Sequence, residues 1–214
     1  MRLRKKPRIE TEILEHLDLV ELNTAERHKG NWQKLFAQTQ PLHLEIGTGR
    51  GSFIVGMAQQ FPQYNFVGVE ANIDVIYDVI QKIRNSPIPL NNIHLIRDDA
   101  NLLEYWFDCD EVAQIYLNFS DPWPKVRHAK RRLTHIGFLN KYRDILQKNG
   151  TVRVKTDNDD LFAFTLEQVP LANGKLLTVC KDLYQTQLSN PVATEYEQKF
   201  VSLGKNINFC EFSL

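Results

Sequence analysis

LHLEIGTGRGSFIVGMAQQ, residues 42–60, decides the fold. It opens as a short apolar strand, Leu42–Ile46, turns through Gly47, Gly49 and Gly51, and continues as a helix with Phe53, Ile54, Met57 and Ala58 on one face. Strand, glycine turn and helix make one βα unit, and the pattern recurs at roughly 20 to 25 residues downstream. Residues 66–69 form the next strand, ending at Glu70, and its helix starts at Asn72 as N-cap and stops before Pro87. Residues 93–96 form a strand ending at Asp98 and Asp99, and 112–119 another. Thr134 is placed to cap a helix closed by Gly150; a strand over 151–155 and a helix over 161–168 follow. Residues 175–183 and 207–212 supply the last strands, with TEYEQKF between them readable as a helical turn or a strand. Such alternation predicts an α/β fold, a mostly parallel sheet covered by helices on both faces.

Upstream, Leu14, Leu17, Val20 and Leu22, then Trp32, Leu35 and Phe36, fall near a period of 3.6 and predict helix between residues 11 and 38. Residues 1–10 read as a basic mobile arm and 11–214 as one domain, which suits a chain of 214 residues. The 43% hydrophobic and 24% charged composition is that of a soluble globular protein, and no apolar run approaches the roughly 18 residues of a membrane span. The start lacks the apolar stretch of a secretory signal, so a cytoplasmic location is expected. Cys109, Cys180 and Cys210 have no metal-binding spacing, the histidines form no HExxH, and no metal is expected.

The glycine turn carries chemistry. Its spacing is GxGxG, where dinucleotide binders have GxGxxG, and Glu45 stands two places before the first glycine. That carboxylate repels a pyrophosphate and attracts a cation, which points to a sulfonium cofactor such as S-adenosylmethionine. Glu70, closing the second strand, is placed to accept hydrogen bonds from ribose hydroxyls. Asp99, closing the third, is placed to hold an adenine amino group. Three acidic strand ends around one glycine loop form the candidate cofactor site.

A second stretch, IYLNFSDPWPKVRHAKRR at 115–132, passes from a buried strand through Asp121 and Trp123 into a cationic cluster. The formal net charge is zero, yet Arg2, Arg4, Lys5, Lys6 and Arg8 form one basic run and 125–132 another. Local cation clusters of this kind suit the phosphates of a nucleic acid. Base contacts then fall to Asp121 and Trp123.

EIGTGRG, Glu70, Asp99-Ala100, YLNFSDPWPKVRHAKRRLT, KTDN at 155–158 and TEYE at 194–197 together resemble the bacterial tRNA (guanine-N7)-methyltransferases, from about residue 40 to the C-terminus. The resemblance implies a Rossmann-like class I methyltransferase sheet, seven-stranded with an antiparallel last strand. It implies methyl transfer from S-adenosylmethionine to N7 of the variable-loop guanine, position 46, of tRNA, by a monomer or homodimer. By the same similarity Glu45, Gly47, Gly49, Gly51, Glu70, Asp99 and Asp121 bind cofactor, and Asp121 is also catalytic. Lys125, Asp157, Thr194, Glu195, Tyr196 and Glu197 match substrate-binding positions. Arg127, His128, Ala129, Lys130, Arg131 and Arg132 match the RNA-contacting segment. Val126 departs from the pattern, lying where many relatives carry another cation.

Three rivals compete with this reading. Adenine amino-methyltransferases carry an acidic Pro-rich motif like SDPWP, but usually with two adjacent prolines before the aromatic. A silent RNA-binding module predicts decay of Glu45, Glu70 and Asp99, all of which are present. A nicotinamide oxidoreductase has no use for RHAKRR.

Overall fold

The computed structural model describes residues 8–188 and 190–214. The strands are β1 Val20–Leu22, β2 Leu42–Ile46, β3 Asn65–Val69, β4 Ile93–Arg97, β5 Val112–Asn118, β6 Leu146–Thr156, β7 Lys175–Cys180 and β8 Asn208–Ser213. The helices are α1 Ile9–Glu12, α2 Ser52–Gln60, α3 Ile73–Arg84, α4 Leu103–Trp106, α5 Ile136–Ile145, α6 Asp159–Leu171 and α7 Glu195–Ser202. One sheet runs in the order β1-β4-β3-β2-β5-β6-β8-β7. The first six strands pair in parallel, and β8 is antiparallel to both its neighbours. Asn208 faces Thr156 and Cys180 faces Phe209, so the chain leaves β7 and enters β8 at the edge where the parallel strands end.

Alternation along each strand sends side chains to two core layers. Phe66, Leu95 and Tyr116 pack with Ile54 and Met57 of α2 and Ile76 and Ile80 of α3 on one face. Val67, Ile96 and Leu117 pack with Leu139 and Tyr142 of α5 and Phe162 of α6 on the other. Each such fully buried apolar side chain stabilises the fold by roughly 1.5–3 kcal/mol. Local signals fix where helices begin. Asn72 accepts from the backbone N–H of Asp74 at 2.9 Å and of Val75 at 3.3 Å, a cap worth about 1 kcal/mol. Gly51, at φ +79°, precedes α2, and a Cβ there would stand 2.5 Å from Val79 Cγ1, so both backbone and packing against α3 require glycine. TEYEQKF is helical, because Thr194 and Glu197 form a reciprocal capping box that starts α7.

Several expectations are corrected. The helix predicted between residues 11 and 38 is broken into the end of α1 and three short 3-10 turns, Ile13–His16, Ala25–His28 and Trp32–Leu35; Leu14 and Leu17 are exposed. Val20–Leu22 instead pairs with β4, which makes the sheet eight-stranded where seven strands were expected. Buried Glu21 secures this edge by accepting from Thr24 Oγ1 at 2.6 Å, Arg27 Nη2 at 2.7 Å and His28 Nε2 at 2.8 Å. Thr134 is not the cap of α5. It is buried and accepts from Thr165 Oγ1 at 2.9 Å, while His135 Nδ1 accepts from the Gly137 N–H. Gly150 lies inside β6, which begins directly after α5. Residues 1–7 of the expected arm lie outside the described residues; Ile9 and Glu10 belong to α1, and Ile9 is buried.

From β2 the chain winds outward through β3 and β4, then returns to β5 on the other side of β2. The crevice above β2 and β5 is therefore the switch point at which open α/β sheets bind ligands.

Candidate active site

Glu45 of β2 and Asn118 of β5 meet at the floor of that crevice. Asn118 Nδ2 donates to Glu45 Oε1 at 2.9 Å, and Glu45 is 2% exposed. Its Oε2 is buried with no hydrogen-bond partner among the described residues. Burial raises the Glu45 pKa to about 8, against the Asn118 hydrogen bond and the charge of Lys155, which lower it. A buried acceptor left open on a cavity wall calls for a cation or donor from a ligand.

Two cavities adjoin over this floor and share Gly47, Gly49, Asn118 and Phe119. One, of about 410 Å³, is walled by Glu45, the turn 47–51, Ser52, Phe53, Thr194, Glu195, Tyr196 and Lys199. The other, of about 450 Å³, is walled by Glu70, Asp98, Asp99, Asp121, Trp123 and Arg131. Glu70 accepts from Gly49 N–H at 3.1 Å and Asn72 N–H at 3.0 Å, tying the glycine turn to the start of α3. Burial raises its pKa, partly offset by those backbone bonds. Each of its oxygens retains a second lone pair. Asp99 spends Oδ1 on the backbone and side-chain nitrogens of Asn101.

The structure therefore brings Glu45, Gly47, Gly49, Gly51, Glu70, Asp99 and Asp121 to one composite cleft, with Thr194, Glu195 and Tyr196 on its wall. Asp157 lines neither cavity but stands close to Tyr196, whose phenol pKa is raised by burial and then by that carboxylate. Lys125 is exposed and precedes the 3-10 turn Val126–Arg131. Glu197 is fully buried and does not face the cleft.

The cationic segment divides by role. Arg127 and Lys130 are exposed. Arg131 lays its guanidinium 3.7 Å from the Trp123 ring centroid, and His128 stacks on the same indole at 5.8 Å between centroids. Arg132 turns inward: Nε donates to Pro122 O at 3.0 Å and Nη2 to Trp123 O at 3.1 Å, and its guanidinium lies 4.3 Å from the Phe164 ring centroid. Trp123 stands at φ +41° between two prolines, and these arginine bonds hold that strained turn. Sequence reasoning missed Asn118 and Lys155. The available signal was a polar side chain at the carboxyl end of each strand, where Asn118 closes β5 and Lys155 is the last residue but one of β6.

A family model described as "Putative methyltransferase" matches residues 39–210. The tRNA (guanine-N(7)-)-methyltransferase of Bacillus subtilis strain 168 is 43% identical over 208 residues, 97% of this chain and 96% of that one. The tRNA (guanine-N(7)-)-methyltransferase of Limosilactobacillus reuteri strain DSM 20016 is 44% identical over 208 residues, with the same coverage. Among solved structures, the 16S rRNA methyltransferase KamB superposes with a TM-score of 0.64 at 13% identity, covering 85% of this chain and 91% of that one. An antibiotic-related methyltransferase gives 0.63 at 16%, covering 86% and 92%. These two share the fold.

Proposed function

This chain belongs to the tRNA (guanine-N7)-methyltransferases, and from that membership we propose that its cleft binds S-adenosylmethionine and methylates N7 of the variable-loop guanine, position 46, of tRNA. The observation that carries the cofactor assignment is the open, buried Oε2 of Glu45, flanked along the cleft by Glu70 and Asp99. An acidic cleft suits a cationic sulfonium and disfavours a pyrophosphate. When bound, S-adenosylmethionine supplies an electrophilic methyl group. Glu45, protonated in the empty cleft at neutral pH, offers a negative counter-charge once it gives up that proton to the arriving cation; Glu70 offers the acceptors for ribose hydroxyls, and Asp99 an acceptor for the adenine amino group.

Guanine N7 has a lone pair and no proton, so the protein needs no general base. It must hold nucleophile, methyl and sulfur in line, worth up to roughly 7–11 kcal/mol in ideal cases. Asp121 lines the cofactor cavity and favours the purine as it becomes cationic. Asp157, beside Tyr196, adds a second carboxylate. Arg127, Lys130 and Arg131 hold phosphates without reading sequence. In duplex RNA the N7 edge lies in a groove closed to side chains, so the target must come from a loop or leave its stack. The enzyme of this proposal acts on cytoplasmic tRNA as a monomer or homodimer. No described helix is long and apolar enough to cross a membrane.

The test is a pair of tRNA transcripts, one with guanine and one with 7-deazaguanine at the target. Both should bind, and only the first should yield 7-methylguanosine on nucleoside analysis. Methylation of the second at the rate of the first means that another atom is the nucleophile.

A further inference from the structure

Residues 190–194 and α7 form a strap whose outer side supplies Thr194, Glu195 and Tyr196 to the 410 Å³ cavity. Beneath it lies Lys155, 5% exposed, on β6 directly opposite Asn118 of β5. Its ammonium donates to Glu197 Oε2 at 2.6 Å, Asn190 Oδ1 at 3.2 Å and Val192 O at 3.4 Å. Three donors thus meet three acceptors spread along one irregular segment.

Glu197 completes the anchorage. It is 0% exposed, and its carboxylate accepts from Lys155, from Tyr184 OH at 3.0 Å, from Asn190 Nδ2 at 2.7 Å and from the Thr194 N–H at 3.2 Å. Four bonds fill about the four lone-pair sites that a carboxylate has, so it has no free acceptor and no exposed surface for a ligand. Val192 seats against Gly56 of α2, where a Cβ would stand 2.7 Å from Val192 Cγ1. A buried ion pair of this kind is weak evidence for added stability, and its best-attested use is to fix register.

We propose that Lys155 is a positioning residue for the RNA substrate: with Glu197 it pins the strap so that Thr194, Glu195 and Tyr196 face the cleft, and Glu197 acts through this pin without touching substrate. The proposal rests on the reading of the cleft as a tRNA methyl-transfer site. It makes the charge pair dispensable for cofactor binding and required for placing the strap.

The test uses Lys155→Met/Glu197→Gln, which removes both charges and leaves neither one buried alone. The double variant should still bind S-adenosylhomocysteine, weakened by no more than about fivefold through loss of the Lys155 charge near Glu45, while KM for unfractionated tRNA rises about tenfold or more. Amide exchange at 190–197 should quicken in that variant and stay unchanged in the core strands. Tyr196→Ala separates position from bulk stability: it should raise KM in the wild-type background and have no further effect in the double variant, a non-additivity expected only if the pin orients Tyr196. A wild-type KM in the double variant, or equal Tyr196→Ala effects in both backgrounds, overturns the proposal. Should the double variant not fold, Asn190→Ala cuts the strap's side-chain link to both charges and is put through the same cycle. Failure of the underlying reading is a separate outcome, because the wild-type protein would then bind S-adenosylhomocysteine and methylate no tRNA.

Discussion

Glu45→Gln isolates the electrostatics of the cleft floor. The buried Glu45 carboxyl, with Oε1 on Asn118 and Oε2 unpartnered, has its pKa raised by burial from 4.5 to about 8. The folded protein therefore keeps a proton that the unfolded chain releases above pH 4.5. Stability from this group is complete below about pH 4.5 and is lost as pH rises through 8. At about 1.4 kcal/mol per pH unit across that gap, the full loss is about 5 kcal/mol, and about 3 kcal/mol falls between pH 5 and pH 8. Glutamine keeps the shape and the acceptor for Asn118 but never ionises, so the variant should gain on wild type by that amount over the same window. Urea unfolding of both proteins at pH 5, 6, 7 and 8, with equal m-values, measures the gap. Adding S-adenosylhomocysteine, whose ammonium offers a counter-charge, should stabilise wild type more than the variant at pH 8. A stability gap that stays constant within about 1 kcal/mol from pH 5 to 8 would show that Glu45 is ionised throughout, and the argument from burial would fail.

Asp121→Asn should lower kcat about a hundredfold, with tRNA affinity kept, because a positioned charge is removed while the fold is not disturbed; a wild-type kcat removes Asp121 from the reaction. Replacing Arg127, Lys130 and Arg131 by alanine should reduce the slope of log affinity against log salt by about 0.7 to 0.9 for each phosphate that is no longer neutralised. Arg132→Ala should behave differently, lowering melting temperature and activity at every salt concentration, since its guanidinium bonds the carbonyls of Pro122 and Trp123. Burial alone would raise the pKa of Glu21, yet hydrogen bonds from Arg27, Thr24 and His28, with His94 Nε2 3.6 Å away, hold that carboxyl well below the usual carboxylate range. Its stabilisation is thus present above pH 4.5 and lost on acidification, and Glu21→Gln should cost about 3–5 kcal/mol at neutral pH in chemical denaturation.

The repeating βα units were legible because each buried parallel strand is an apolar run cut off by glycine or acid, and those cut-offs are also the site. Glu45, Glu70 and Asp99 could be picked out as strand ends before any fold was known. β1 could not: three residues in a helix-like spacing become a strand only through pairing with β4 and the ion cluster around Glu21, contacts that span more than 70 positions for Val20 and Leu95. Asn118 and Lys155 were equally hidden. A polar residue in a strand looks like ordinary alternation until its partners, Glu45 and Glu197, are seen to approach from 73 and 42 residues away. The acids at 194–197 looked alike in sequence. Only the capping box distinguishes Glu197, folded under the strap, from Glu195, which accepts from Ser52 Oγ at 2.6 Å at the cleft wall and pairs with Lys82.

The reversed direction of β8 has a consequence for how such an enzyme can diversify. Because β7 ends and β8 begins at the same edge, beside Thr156, the connection that carries α7 starts and finishes at points the sheet holds close together. Doubling the length of such a connection adds only about 0.6 kcal/mol of closure cost. The connection can thus change length cheaply between its anchors, but any exchange must keep an acid for Lys155, whose buried charge the sheet supplies. In this architecture the outer wall of the cleft can vary in length while its anchor on the sheet is kept.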